Sequence, residues 1–190
     1  MKTFLVKLLK YFFAPLLVIA LLWIIYFWLY ANFHQVDKEL YRSAQLRPFN
    51  MGYYVEKHKI KSILNLRGVD LTVPWYNDEI AFCKKNKVKH YNYGILDRST
   101  ITMEQMDEIV RIMKEAPKPL LIHCKAGADR TSLGAALYLH ALKNDKDAES
   151  ELSILYGHFP WLGSKTYFMD DAFENYKKTH PLKQKNEEHN

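Results

Sequence analysis

From Tyr11 to Val36 the chain carries no Asp, Glu, Lys or Arg. At about 26 residues this run exceeds the ~20 that a membrane-spanning helix needs. Tyr11, Phe12, Tyr26, Trp28 and Tyr30 crowd its two ends, as suits side chains at a bilayer interface. The run is too long for the ~7–15 residue core of a cleavable signal peptide, and Leu29-Tyr30-Ala31 is a poor cleavage site. The organisation read from this is a basic tail over 1–10, a transmembrane anchor over 11–36, one domain over 37–180 and a polar tail over 181–190.

The charge balance looks basic, with 27 Lys and Arg against 21 Asp and Glu and a formal net charge of +6. Half of that excess sits on Lys2, Lys7 and Lys10, ahead of the apolar run, so a nucleic-acid partner is not expected. Lysines before a first span tend to stay in the cytoplasm, which predicts a single-pass protein with an extracytoplasmic domain; Lys38, Arg42 and Arg47, charges close behind the run, keep a cytoplasmic-facing domain as the alternative. Two cysteines, Cys83 and Cys124, cannot form a disulfide framework.

Beyond Asp37 short apolar runs alternate with amphipathic ones, without repeats or a linker. Ser62 to Leu66, Val88 to Tyr93 and Leu120 to His123 read as strands, the last being wholly apolar up to its histidine, as in a buried central strand. Thr102 and Gln105 form a capping box ahead of Met106, Ile109, Val110 and Met113, a helical stripe that Pro117 terminates. Further helices are expected over 130–142, 148–156 and 165–178. This alternation predicts an α/β fold with a central, mostly parallel sheet flanked by helices. Ligands bind such sheets at the carboxyl ends of the strands.

At the end of the third strand stands His123-Cys124-Lys125-Ala126-Gly127-Ala128-Asp129-Arg130-Thr131, followed at once by an apolar helix. The pattern H-C-x-x-G-x-x-R-T arises by chance in roughly one chain of this length in 10⁴. A loop from a buried strand into a helix N-terminus directs backbone N–H groups and the helix dipole at one point, which makes an anion site. Cys124 among those groups and near Arg130 favours the nucleophilic thiolate. Gly127 lets the backbone curl around a phosphate, and the Arg130 fork can grip two phosphate oxygens. Thr131 can donate a hydrogen bond to the thiolate, and His123 can orient the loop from behind. The phosphate-binding loop is therefore Lys125, Ala126, Gly127, Ala128, Asp129 and Arg130.

This loop matches C-x5-R, and the chain resembles the cysteine-dependent protein tyrosine phosphatase superfamily, specifically its small dual-specificity and bacterial tyrosine-phosphatase-like members. The resemblance runs from Leu40-Tyr41-Arg42-Ser43-Ala44-Gln45, similar to the Y-R-S opening of bacterial members and the fungal inositol-pyrophosphate phosphatases, through Asn65-Leu66-Arg67 to the final helix. It implies a two-step reaction: the thiolate attacks phosphorus to give a phosphocysteine, which water then hydrolyses. No cofactor and no metal are implied. Such chemistry needs a carboxylic acid for the leaving oxygen. Asp97 is the first choice because its loop resembles the placement of the family's mobile acid loop; Asp129, inside the phosphate loop, is the alternative acid. Two departures stand out. Ser132 replaces the Gly of many relatives, and Lys125 lacks the second loop lysine often found in inositol-polyphosphate enzymes, which argues against a polyanionic inositol substrate.

Other residues have blander readings. Cys83 shares a helical face with Ile80 and reads as a core thiol. Arg67 and Arg98 are candidates for substrate contact, and Trp75, Tyr76 and Trp161 for core or pocket rim. His58, His90, His140, His158 and His180 show no metal-ligand spacing. The functional expectation is a membrane-anchored phosphatase of phosphotyrosine or of lipid or isoprenoid phosphates, with the bilayer and a phosphorylated protein or lipid as partners. The competing reading is a membrane-tethered pseudophosphatase that binds phosphorylated partners without turnover.

Overall fold

The computed structural model describes residues 6–7 and 9–183. A π-helical turn, Leu9–Phe13, leads into helix α1 (Ala14–Tyr30). The domain then runs β1 (His34–Gln35), β2 (Leu40–Ser43), α2 (Pro48–Lys57), β3 (Ser62–Asn65), α3 (Pro74–Asn86), β4 (Lys89–Asn92), α4 (Met103–Glu115), β5 (Leu120–His123), α5 (Asp129–Lys143) and α6 (Tyr167–Thr179). The polar tail expected over 181–190 falls outside the described residues beyond Lys183.

The five strands form one sheet in the order β1-β2-β5-β3-β4, parallel except for the β1–β2 pair. Strand β5 is central, and all four of its side chains are buried, as its apolar sequence requires of a strand covered on both faces. Alternation along the strands divides the core. Leu40, Leu64, Leu120 and Ile122 face Ile109, Met113, Leu133 and Phe173 of α4, α5 and α6. Tyr41, Ile63 and Leu121 face Met51, Tyr54 and Val55 of α2 and Cys83 of α3. The methionine stripe of α4 and the Cys83 thiol are thus core, as their spacing suggests. The capping box holds α4 at its start: the Gln105 N–H donates to Thr102 Oγ1 at 3.3 Å and the Thr102 N–H to Gln105 Oε1 at 3.0 Å.

Two expectations are corrected. The helix expected over 148–156 is two 3₁₀ turns, Ala148–Glu151 and Ile154–Tyr156. Arg42 takes the Glu151 carbonyl at 3.2 Å, and Ser153 Oγ accepts from the Leu155 N–H at 3.2 Å, so the backbone between them finds partners other than a helix. The anchor boundary also moves. Helix α1 stops at Tyr30, because Ala31 and Asn32 are left-handed; residues 31–36, placed in the anchor by their lack of charge, belong to the domain. Ala31 is buried, the Ala44 N–H donates to its carbonyl at 2.6 Å, and Phe33 stacks on Tyr54 with ring centroids 4.2 Å apart. Among the described residues no helix is long and apolar enough to cross a membrane.

Candidate active site

The geometry around Cys124 follows from how the loop's carbonyl groups are held. The Gln45 N–H donates to the Lys125 carbonyl at 3.3 Å, Asn32 Nδ2 to that of Ala126 at 3.1 Å, and an Arg42 Nη to that of Gly127 at 3.0 Å. In a trans peptide the N–H points opposite to the C=O. Pinning three successive carbonyls outward therefore turns the N–H groups of Ala126, Gly127 and Ala128 to the loop's concave side, where α5 begins. Gly127 has a φ of +70°, and a Cβ there would lie 2.5 Å from the Ala44 nitrogen and 2.6 Å from the Ser43 carbonyl carbon. The loop sits directly on the end of β2, and only glycine fits at that contact.

Arg42 underpins this arrangement from a fully buried position. Besides the Gly127 carbonyl it donates to Ser132 Oγ at 2.7 Å, pairs with the Glu151 carboxylate, and lies over the Tyr156 ring at 3.9 Å. Burial pulls the guanidinium below its ordinary pKa, and Glu151 opposes that pull. Ser132, the departure from the family's glycine, is thus a partner for Arg42. Sequence reasoning read Arg42 only as a charge near the anchor and as the middle of Y-R-S. Asn32, which ties the end of α1 to the loop, was missed because nothing in its neighbourhood distinguishes it.

Cys124 is buried, and the Arg130 side chain is 12% exposed. The Arg130 guanidinium donates to the Ile95 carbonyl at 3.3 Å and lies 3.7 Å from the Asp97 carboxylate. Asp97 reaches this point because the chain after β4 continues along β3: the Tyr93 N–H bonds the Asn65 carbonyl at 3.0 Å and the Ile95 N–H the Leu66 carbonyl at 3.2 Å. Gly94 passes so close to Gly68 that a Cβ on it would lie 2.9 Å from the Gly68 Cα. Asp97 thus stands beside the arginine of the loop.

Asp129 is turned to other work. Its carboxylate accepts from His158 Nδ1 at 2.8 Å, and His158 Nε2 reaches Asp170 of α6 at 2.9 Å. Burial disfavours a charged ring there, but the two carboxylates outweigh it and raise His158 to about 9. Thr131 does not donate to Cys124: its buried hydroxyl, like Arg130 Nε, has no partner within the described protein.

A cavity of about 570 Å³ adjoins the loop at Lys125, Ala126 and Ala128. Arg47, Arg67 and Trp75 line one side, with the Arg67 guanidinium stacked 3.5 Å over the Trp75 ring, while Trp23 and Ile24 of α1 form an apolar wall. Of the remaining candidates, Tyr76 is core, and Arg98 and Trp161 are exposed. His180 lies 3.3 Å from Asp107. Among the described residues no group of His, Cys, Asp and Glu could hold a metal ion.

Known proteins are similar to this chain in sequence and in fold. Inositol diphosphatase DSP3 of Arabidopsis thaliana is 28% identical over 112 residues, covering 53% of this chain and 50% of the relative, so the chain spans about half that protein's length. The crystal structure of the core catalytic domain of the PP-IP phosphatase SIW14 of Saccharomyces cerevisiae, in complex with citrate, superposes with a TM-score of 0.60 at 26% identity, covering 80% of this chain and 96% of that one. TpbA of P. aeruginosa, solved with pTyr, shares the fold with a TM-score of 0.62 at 18% identity, over 79% of this chain and 90% of that one. The model of the tyrosine phosphatase family matches residues 29–138, from the last turn of α1 through the loop and into α5, and the chain belongs to that family.

Proposed function

We propose that the protein is a cysteine-dependent phosphatase of phosphomonoesters, held at a membrane by the apolar segment that ends at Tyr30. What supports the reading is a loop that opens at Cys124, with its Ala126 and Gly127 carbonyls pinned outward, and whose Arg130 guanidinium lies 3.7 Å from the Asp97 carboxylate. In the first step the Cys124 thiolate attacks phosphorus; the bond to the leaving oxygen breaks, and that oxygen takes the Asp97 proton. In the second step water attacks the phosphocysteine and gives a proton to Asp97, and the P–S bond breaks to restore the thiolate. Loop N–H groups and Arg130 hold the equatorial oxygens throughout.

The membrane part rests on α1. Every described side chain from Ala14 to Ile25 is exposed, and nearly all are apolar, which suits lipid rather than water. Strand β1 starts only four residues after α1 ends, so the loop stays near the bilayer surface and meets membrane-borne phosphates at high effective concentration. Phosphotyrosine on membrane proteins and lipid or isoprenoid phosphates are the substrate classes this favours. The charge before α1 supports a domain on the extracytoplasmic side.

The decisive test is hydrolysis of an aryl phosphate by the full chain in detergent, under reducing conditions with a chelator, beside Cys124→Ser. Turnover abolished by the substitution is expected. A folded protein that binds vanadate without turnover would instead be a pseudophosphatase. Carbonate extraction and reporter fusions at the carboxyl end check anchoring and orientation.

A further inference from the structure

One buried charge beside the loop has no place in the mechanism above. Glu79 on α3 is 1% exposed, and its carboxylate meets His123, the last residue of β5, next to Cys124. Its Oε1 is 3.1 Å from His123 Nε2 and 2.7 Å from His90 Nε2, and its Oε2 accepts from Gln45 Nε2. Gln45 Oε1 in turn accepts from Arg67 at 3.3 Å.

The hydrogen bonds fix where the protons are. Asn65 Nδ2 donates to Asn92 Oδ1 at 3.0 Å, so the other end of the Asn92 amide donates, at 3.3 Å, to His90 Nδ1. His90 therefore carries its single proton on Nε2 and gives it to Glu79 Oε1. Oε2 accepts from Gln45, and the two histidines hold the Glu79 carboxyl well below the usual carboxylate range, so Glu79 is ionised. His123 faces two acceptors, since Nδ1 lies 3.2 Å from the Cys124 carbonyl and Nε2 faces Glu79. A carbonyl and a carboxylate cannot donate, so this geometry suits a His123 ring with a proton on each nitrogen.

We propose that Glu79 is a positioning residue that holds His123 as an imidazolium against the Cys124 backbone, and through that cation favours the thiolate of Cys124. The proposal rests on the phosphatase reading only for the use made of the thiolate. It accords with the carboxyl of Glu79 lying well below the usual range: burial alone would raise it, and the two histidines overcome burial. The charged and titratable groups described around Glu79 are His90 from β4, His123 at the end of β5, Arg67 from the loop after β3, and Tyr76 and Cys83 from its own helix. Burial and Glu79 push the Cys83 thiol up to about 12, so it does not compete as a nucleophile.

The test is the pH dependence of Cys124 alkylation by iodoacetamide in the full chain, read peptide by peptide by mass spectrometry to separate it from Cys83. Glu79→Gln keeps a hydrogen-bond acceptor and removes the charge, so His123 reverts to a neutral ring. The alkylation midpoint and the acid limb of the kcat/KM profile are expected to rise together by about one pH unit, and Glu79→Asp to restore part of the shift. Coincident alkylation profiles for Glu79→Gln and wild type would overturn the proposal. Should Glu79→Gln fail to fold, ring-nitrogen NMR shifts of His123 in the wild-type chain decide: two protonated nitrogens at pH 7 support the ion pair, and a neutral ring refutes it. Alkylation needs no turnover, so absence of phosphatase activity with a shifted alkylation profile would count against the function and not against the ion pair.

Discussion

Arg42 donates to the Gly127 carbonyl at 3.0 Å from beneath the phosphate loop, joining two positions that lie 85 residues apart in sequence. The same guanidinium reaches Ser132 and Glu151, so a planar fork with several donors is needed. Arg42→Lys supplies one point charge and cannot span these partners. It is expected to lower kcat/KM on an aryl phosphate by about 10²-fold and to lower Tm as well, because Glu151 loses its pairing. Ser132→Gly removes one of the contacts and should cost about 1 kcal/mol in a denaturant melt. If Arg42→Lys retained full activity, the loop would not depend on this support.

The Gly127 position gives a sharper steric test. Gly127→Ala would drive a Cβ into the β2 backbone at the Ser43–Ala44 peptide, at a φ of +70°. No flexible side chain can yield there, so the loop must lift off β2 and misaim its N–H groups. Vanadate affinity and kcat are expected to fall together by at least about 10²-fold, with the circular dichroism spectrum unchanged. Tight vanadate binding by this variant would show that the loop tolerates the displacement.

Asp97 and Asp129 separate as candidate acids by their partners, Arg130 for the first and His158 for the second. Asp97→Asn should lower kcat about 10²-fold for alkyl phosphates and much less for a nitrophenyl phosphate, whose leaving oxygen needs no proton. Asp129→Asn should show no dependence on the leaving group. The reverse pattern in a leaving-group series would move the acid to Asp129.

What the sequence made legible was local. Strand β5, the capping box of α4 and the C-x5-R loop each depend on neighbours within a few positions, and each stands where its residues indicate. Contacts that bring distant segments together were not legible. Asn32 meets Ala126 across 94 positions and Glu79 meets His123 across 44, and neither residue type nor spacing marks them in advance. The anchor boundary failed for a related reason: residues 31–36 lack charge, yet it is the left-handed turn at Ala31 and Asn32 that ends the helix, and hydropathy does not register backbone conformation.

His158 supplies a prediction about stability and pH. Its ring joins Asp129 at the start of α5 to Asp170 on α6, and its pKa is raised to about 9. A group whose folded pKa exceeds its unfolded value stabilises the fold fully below the unfolded value, near ~6.5 for histidine, and loses that contribution as pH rises through the folded value. Both carboxylates are partly exposed, so the contribution is about 1–2 kcal/mol after solvent screening. Between pH 6.5 and 9.5 the wild-type Tm should therefore fall by about 2–8 °C more than that of His158→Gln, which has no charge to lose. Because Asp129 opens the helix that follows the phosphate loop, vanadate affinity should weaken over the same alkaline window in wild type but not in the variant. Parallel Tm curves for the two proteins would show that the ring is not charged in the folded state.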